Sequence, residues 1–341
     1  MNILVISRCR TDNFGDQAIG IAMQKLIESG NPSNIVFLED LKNSHIAGHD
    51  SKPLVYIKKI ISRIGFADVL WKIENRSLFG ILGQRKFDVI FIGGGELVQS
   101  NRIFPLALDE WTKHIKIKQA QTPIFLFGVG VTKSYSPKDK KRVEKALSRI
   151  DGFVVRDNTS QKNLKDLFGL ESMVIPDVVY SLTFEDSGYK RNCVLYGITN
   201  FERIRKYGIY AKSREDYFNK SIYEIEKLGG ARLFFTTRSD REECMRIKEY
   251  AQKEKGLILS IVECKDLGGL LMEMQKACDV YSPRMHGCIL ADLCGARSHP
   301  IIISPKMKSY HDTYVHPLDF ESLKEKVLKV MDSILKNINK N

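Results

Sequence analysis

No stretch of this 341-residue chain approaches the roughly twenty consecutive apolar residues of a membrane-spanning helix. The opening "MNILVIS" lacks the basic and long apolar regions of a secretion signal. Disulfide architecture is absent too: the seven cysteines, Cys9, Cys193, Cys244, Cys264, Cys278, Cys288 and Cys294, are odd in number and form no CxxC pair. Most sit in apolar runs such as "CILADLC", as reduced thiols of a cytoplasmic protein would. Also missing are zinc-finger, KH and RRM patterns, a GxGxxG dinucleotide fingerprint, a recognisable metal-ligand spacing, internal repeats and low-complexity segments. A soluble or at most peripheral protein is expected, with no metal or redox cofactor.

Acidic residues are outnumbered, and the formal net charge is +12. A basic field attracts polyanions. Here, however, lysines and arginines alternate with Asp and Glu along helices, as in "KDKKRVEKALSRID", so no nucleic-acid partner is expected. An anionic small substrate or an anionic membrane surface fits the same charge.

What is present is alternation. Short β-branched runs ("NILVIS", "NIVFLE", "DVIFIGG", "PIFLFGV", "GFVVR", "SMVIP") alternate with amphipathic stretches, the pattern of parallel sheets covered by helices. The first helix places Ile19, Met23, Leu26 and Ile27 on one face. A polar linker over residues 183–192 follows, after which the alternation restarts with "CVLYGIT", "RLFFTT", "LILSIVE", "DVYSP" and "PIIIS". The expected architecture is therefore α/β: two Rossmann-like, doubly wound lobes over residues 1–182 and 193–317, and a C-terminal helix within 318–341 that can cross back to the first lobe. Length alone allows each lobe its own core.

In open parallel sheets, ligands bind beyond the carboxyl ends of the strands, so the residues after each strand are the informative ones. Asn13, Gly15 and Asp16 follow the first strand, with Asp16 either an N-cap or a carboxylate for sugar hydroxyls. Gly93, Gly94 and Gly95 offer either backbone amides to an anion or a tight turn. Arg156 either grips an anion or fastens its loop through Asp157. Arg284 and His286, with Met285 between them, open a helix whose positive end already favours anions. His286 is also able to exchange a proton near neutral pH. Lys306 is either an exposed surface lysine or a third cation for the same opening, and His311 and His316 read as ordinary loop histidines.

In order and spacing, "NFGDQAI", "GGGELVQS", "VVRDNTSQKNL", "IPDVVYSL", "SPRMHGCILADLCG" and "IIISPKMKSY" resemble the polysaccharide pyruvyl transferase family. The resemblance implies a fold similar to two-lobed GT-B glycosyltransferases, with the active site in the cleft between lobes. The implied reaction moves a pyruvyl group from phosphoenolpyruvate to a sugar, usually as a cyclic ketal, during synthesis of surface polysaccharide or cell-wall polymer. The family's Arg and His fall on Arg284 and His286, its strand-end Arg-Asp on Arg156 and Asp157, and its Asn-x-Gly-Asp on Asn13, Gly15 and Asp16. On that reading the second lobe holds the donor and the first the acceptor. His286 is the general acid, and Asp16 a base or hydroxyl anchor. Arg284, Arg156 and Lys306 clamp the anionic groups, while Asn13, Gly15, Gly93, Gly94, Gly95 and Met285 complete the substrate contacts. The chain departs from the family pattern at Gln17, at Val178 and after the glycine run, where Glu96, Gln99 and Ser100 stand.

Residues 56–86 carry Ile57, Ile60, Ile61 and Ile64 beside Lys58, Lys59 and Arg63, with Trp71 beyond. Such a segment either packs in the first lobe or lies on the inner face of an anionic membrane, where lipid-linked sugar acceptors are found. Two rival functions share the fold: a glycosyltransferase using a nucleotide sugar, and a non-catalytic carbohydrate-binding protein. The sequence sets no oligomeric state.

Overall fold

The computed structural model describes residues 1–43, 67–185, 188–314 and 318–340. Its chain divides into two compact units. The first gathers Met1–Thr11, Asp16–Ser181 and Glu321–Asn341; the second gathers Asp12–Gly15 and Leu182–Phe320.

In the first unit β1 (Asn2–Ser7) leads into α1 (Phe14–Gly30), the front of which belongs to the second unit, and then β2 (Ile35–Asp40). Next come α2 (Ala67–Asn75), a 3-10 turn (Arg76–Gly80), α3 (Ile81–Gln84), β3 (Val89–Val98) and α4 (Ile103–Lys118). β4 (Ile124–Val131), α5 (Pro137–Leu147), β5 (Gly152–Val155), α6 (Asn158–Phe168), β6 (Met173–Val174) and a 3-10 turn (Val178–Ser181) complete it. The strands form one parallel sheet in the order β2-β1-β3-β4-β5-β6.

The apolar face of α1 is buried as its periodicity requires: Ile19, Met23, Leu26 and Ile27 are at most 2% exposed. α6 starts on Asp157, whose carboxylate accepts from the Ser160 amide, and stops at Gly169 in the left-handed region. Of residues 56–86, positions 56–66 lie outside the described residues. In the remainder, Trp71, Leu78 and Leu82 join the core, while Val69 and Ile73 on α2 are exposed.

The second unit runs β7 (Cys193–Gly197), α7 (Phe201–Tyr207), α8 (Arg214–Lys227), β8 (Arg232–Phe234), α9 (Arg238–Lys255), α10 (Leu267–Gln275) and β9 (Ala277–Ser282). Then follow α11 (Met285–Leu293), β10 (Arg297–Pro300) and α12 (Pro305–Thr313). Its strands are again parallel, in the order β10-β9-β7-β8. The final helix α13 (Phe320–Ile338) buries Val327, Met331, Ile334 and Leu335, and from Glu321 onward groups with the first unit.

Three expected strands differ. "SMVIP" contributes only the two exposed residues of β6, because Pro176 has no amide to extend an edge ladder. "LILSIVE" reduces to one bridge, Leu233 to Ile261, with the neighbouring β8 only three residues long. The last strand is the polar "RSHP" rather than "PIIIS". Pairing across β9 explains it: Arg297 and His299 both reach Asp279, at 2.8 and 2.7 Å, and His299 stacks on Tyr281.

The glycine run lies inside β3 rather than in a turn after it. A Cβ at Gly93 would stand 2.4 Å from the Phe127 carbonyl oxygen, and one at Gly94, where φ is +75°, 1.9 Å from Ile19 Cγ2. The run therefore lets α1 settle directly on the sheet. Gly94→Ala is expected to destabilise the first unit by about 2–4 kcal/mol, through left-handed strain plus overpacking. The measurement is the urea unfolding midpoint; an unchanged midpoint would mean that Ile19 yields without cost.

Candidate functional site

In the second unit, β9 ends at Ser282 and α11 begins three residues later. Ser282 Oγ ties this turn by accepting from the Arg284 amide at 3.1 Å and donating to the Arg284 carbonyl at 3.0 Å. Gly287 is needed beside it, since a Cβ there would lie 2.2 Å from Ser282 Oγ. Arg284 is the N-cap residue, in extended conformation, and its side chain does not cap the helix. The first amides of α11 thus receive no side-chain cap, and an anion is favoured at that end.

The guanidinium turns instead to Asp240, whose two carboxylate oxygens accept from Arg284 Nη2 at 2.6 and 2.8 Å. Asp240 is completely buried in the first turn of α9. It also accepts from Thr199 Oγ1 at 3.1 Å, the Asn200 amide at 2.9 Å and Thr236 Oγ1 at 3.4 Å. One carboxylate thereby joins the carboxyl ends of β7, β8 and β9. Sequence reasoning missed Asp240 by reading "DREECMRIKEYAQKE" as helix alone. The signal was "TTRSD": a Thr237 cap three residues ahead of an aspartate, directly after a strand.

His286, half-buried in the first turn of α11, packs against the segment that opens α1. A Cβ on Gly15 would come within 2.4 Å of its Nδ1. That segment is anchored within the same unit. The Phe14 amide donates to the Thr236 carbonyl at 2.9 Å, and Asp12 accepts from the Arg238 amide at 3.1 Å. Asn13, not Asp16, is the cap: its Oδ1 accepts from the Gly15 amide at 3.0 Å, because the helix starts at Phe14 and leaves Asp16 inside the first turn. So Asn13, Gly15, Arg284 and His286 share one unit, whereas Asp16 belongs to the first. Met285 is 8% exposed and forms part of the core. Lys306 is half-buried at the second position of α12, after the Ser304 cap. His311 lies on the same helix rather than in a loop, beside Asp312; His316 is outside the described residues.

The first unit treats its strand-end arginine differently. Arg156 is 6% exposed and lies against Gly130, where a Cβ would be 2.6 Å from Nη2. Around it stand Glu96 at 3.3 Å, Asp157 at 3.4 Å and Asp177 at 3.8 Å. Three carboxylates stand around this one guanidinium, so the fastening role through Asp157 is present and extends to two further acids. A cysteine nucleophile has no support either. Burial holds the thiols of Cys9 and Cys264 up at about 11 and Cys294 at about 12, and those of Cys244 and Cys288 well above their ordinary value. Among the described residues no group of three or more His, Cys, Asp or Glu is placed to hold a metal ion, and no helix is long and apolar enough to cross a membrane.

The turn with Arg284 and His286 falls within a match to the family described as polysaccharide pyruvyl transferase, which covers residues 13–305. The chain belongs to this family. Lys306 lies just beyond the matched span. No curated protein sequence matches the chain. Among solved structures it is similar to UDP-GlcNAc 2-epimerase from Neisseria meningitidis bound to UDP-GlcNAc, with 12% identity, TM-score 0.54 and coverage of 100% of both chains. The UDP-GlcNAc 2-epimerase from Methanocaldococcus jannaschii gives 9% identity and TM-score 0.51, over 98% of this chain and 100% of that one. These likenesses establish the GT-B type of fold, an α/β architecture with parallel sheets, for the pyruvyl transferase family member.

Gly15→Ala tests the packing at His286. Within a helix this change ordinarily adds about 1 kcal/mol of stability; here it is expected to lower the melting point and shift the His286 imidazole resonances. A stabilised variant with unmoved resonances would contradict the close approach.

Proposed function

We propose that the protein transfers a pyruvyl group from phosphoenolpyruvate to a sugar, closing a cyclic ketal during assembly of a surface polysaccharide or cell-wall polymer. The observation that carries this reading is the β9–α11 turn, where a held guanidinium, uncapped helix amides and an imidazole meet within three residues. Phosphoenolpyruvate presents a carboxylate and a phosphate, and these groups match a held guanidinium and a helix N-terminus.

In the proposed reaction His286, as imidazolium, gives its proton to the methylene carbon C3. One sugar hydroxyl forms a bond to C2, the C2–O bond to phosphate breaks, and the second hydroxyl closes the ring at C2. Of the two hydroxyl protons released, one restores His286 and the other leaves with phosphate. Asp16 serves as base or hydroxyl anchor, and Lys306 as an additional cation. The carboxylates around Arg156 suit a hydroxyl-rich acceptor, which supports placing the acceptor on the first unit. The exposed Val69 and Ile73 of α2 support contact with a membrane carrying a lipid-linked acceptor. The scheme requires no metal or redox cofactor.

Thermal melting with phosphoenolpyruvate, UDP and GDP in parallel tests the donor. A ligand that binds only the folded protein raises the midpoint according to its occupancy. Phosphoenolpyruvate is expected to stabilise the native protein and lose that effect in Arg284→Ala. His286→Ala should retain binding while lowering turnover by about a hundredfold or more. Stabilisation by a nucleotide and none by phosphoenolpyruvate would make a nucleotide-sugar glycosyltransferase the working description.

A further inference from the structure

The Arg284 guanidinium is held from one side. Its hydrogen bonds to the described residues all run from Nη2 to the two oxygens of Asp240. Nε is buried, with no hydrogen-bond partner among the described residues. An arginine used only to neutralise a buried aspartate gains most by presenting two nitrogens to it, the fork-to-fork geometry. Here a single nitrogen takes both oxygens, and the other donors stay uncommitted in a side chain only 15% exposed.

Asp240 is itself fixed to an unusual degree. Its own amide is capped by Thr237 Oγ1 at 3.2 Å, and its oxygens receive Thr199, Asn200 and Thr236 as well as the arginine. Thr199 is in turn held through its amide, which donates to the Tyr217 hydroxyl at 3.0 Å from α8. The shell is buried throughout: Thr199 and Asp240 are 0% exposed and Tyr217 3%. With this carboxylate immobile, the guanidinium plane has little freedom to turn. The pair is also neutral, so its attraction for an anion rests on directed hydrogen bonds rather than on excess charge.

We propose that Asp240 is a positioning residue for the donor: it occupies Nη2 and thereby fixes the guanidinium plane so that Nη1 of Arg284 is aimed at the carboxylate of phosphoenolpyruvate, with Thr199 and Thr236 holding Asp240. This inference rests on the pyruvyl-transfer reading above. It assigns the aspartate no part in proton transfer.

The test is calorimetric titration of the full-length protein with phosphoenolpyruvate, comparing native, Asp240→Asn, Arg284→Ala and the double variant. If Asp240 acts through Arg284, Asp240→Asn raises Kd about tenfold or more, and the double variant binds no more weakly than Arg284→Ala alone. Unchanged affinity in Asp240→Asn, or a loss that adds fully to that of Arg284→Ala, would overturn the inference, because a purely structural defect weakens binding whether or not the arginine is present. Should Asp240→Asn fail to fold, Thr199→Val serves in its place. It keeps the ion pair, removes one hydrogen bond to Asp240, and is expected to weaken phosphoenolpyruvate binding about threefold, a loss rescued by Thr199→Ser and absent in the Arg284→Ala background. Native affinity in Thr199→Val would count against the proposal. Failure of the native protein to bind phosphoenolpyruvate is a separate result, one that rejects the donor assignment itself.

Discussion

Burying the carboxylate of Asp240 is the constraint on which the second unit turns. Removing an ionised carboxylate from water costs several kcal/mol even after relaxation, and the cost is offset only by a close cation and well-made hydrogen bonds. Here the cation is Arg284 and the bonds come from Thr199, Asn200 and Thr236. These groups belong to the turns after three different strands. Satisfying one buried charge therefore brings the ends of β7, β8 and β9 into a single register. The segment that opens α1 docks on the same ends, through the Thr236 carbonyl and the Arg238 amide. Removing either ionic partner would leave the other buried alone, at a cost of about 3–5 kcal/mol. Rigid positioning of the Arg284 guanidinium and local stability are thus products of the same contact.

The two units solve the strand-end arginine in opposite ways. Arg284 meets one carboxylate and forms a neutral pair, whereas Arg156 meets three. Asp177 is even more buried than the arginine, at 3%, but the side chains of Glu96 and Asp157 are 32% and 30% exposed. The partly exposed carboxylate oxygens of Glu96 and Asp157 are able to accept hydrogen bonds from neutral hydroxyls. This difference between the two arginines supports the proposed division of labour between donor and acceptor. Glu96, one of the residues at which the chain departs from the family pattern after the glycine run, is among the three that meet Arg156.

Much of the architecture was legible because periodicity and punctuation act locally. The stripe of Ile19, Met23, Leu26 and Ile27, the Asp157 cap and the Gly169 stop each follow from a few neighbouring residues. Arg284 and His286 were legible for the same reason, as residues at a strand-to-helix junction. What escaped depends on partners distant in sequence. Arg284 and Asp240 are 44 residues apart, and Asp240 alone reads as a helix-opening acid. Arg156 reads equally as an anion clamp or a loop fastener in the sequence, because two of its counter-charges arrive from β3 and from the loop after β6. The last strand was misplaced for an analogous reason: three isoleucines outweigh "RSHP" in any local count, yet Asp279 and Tyr281 on the neighbouring strand supply its pairing.

The one-residue spacing of Arg284 and His286 is itself a consequence of the junction. Arg284 retains strand-like angles, φ −117° and ψ 125°, so its side chain departs as from a strand, back toward Asp240 at the start of α9. His286 is already helical, and its imidazole leaves in a direction set by the α11 axis, against Gly15. A continuous strand would place two residues separated by one position on the same face, and the change of backbone here turns them toward two different walls. Ser282 fixes where the change occurs by gripping the Arg284 backbone, and Gly287 permits that grip. One inserted residue after Arg284 would rotate the imidazole by about 100° around the helix while leaving the guanidinium in place. The Arg-x-His-Gly order is therefore a geometric requirement of this turn: it brings a held cation, helix amides and an imidazole to one strand end.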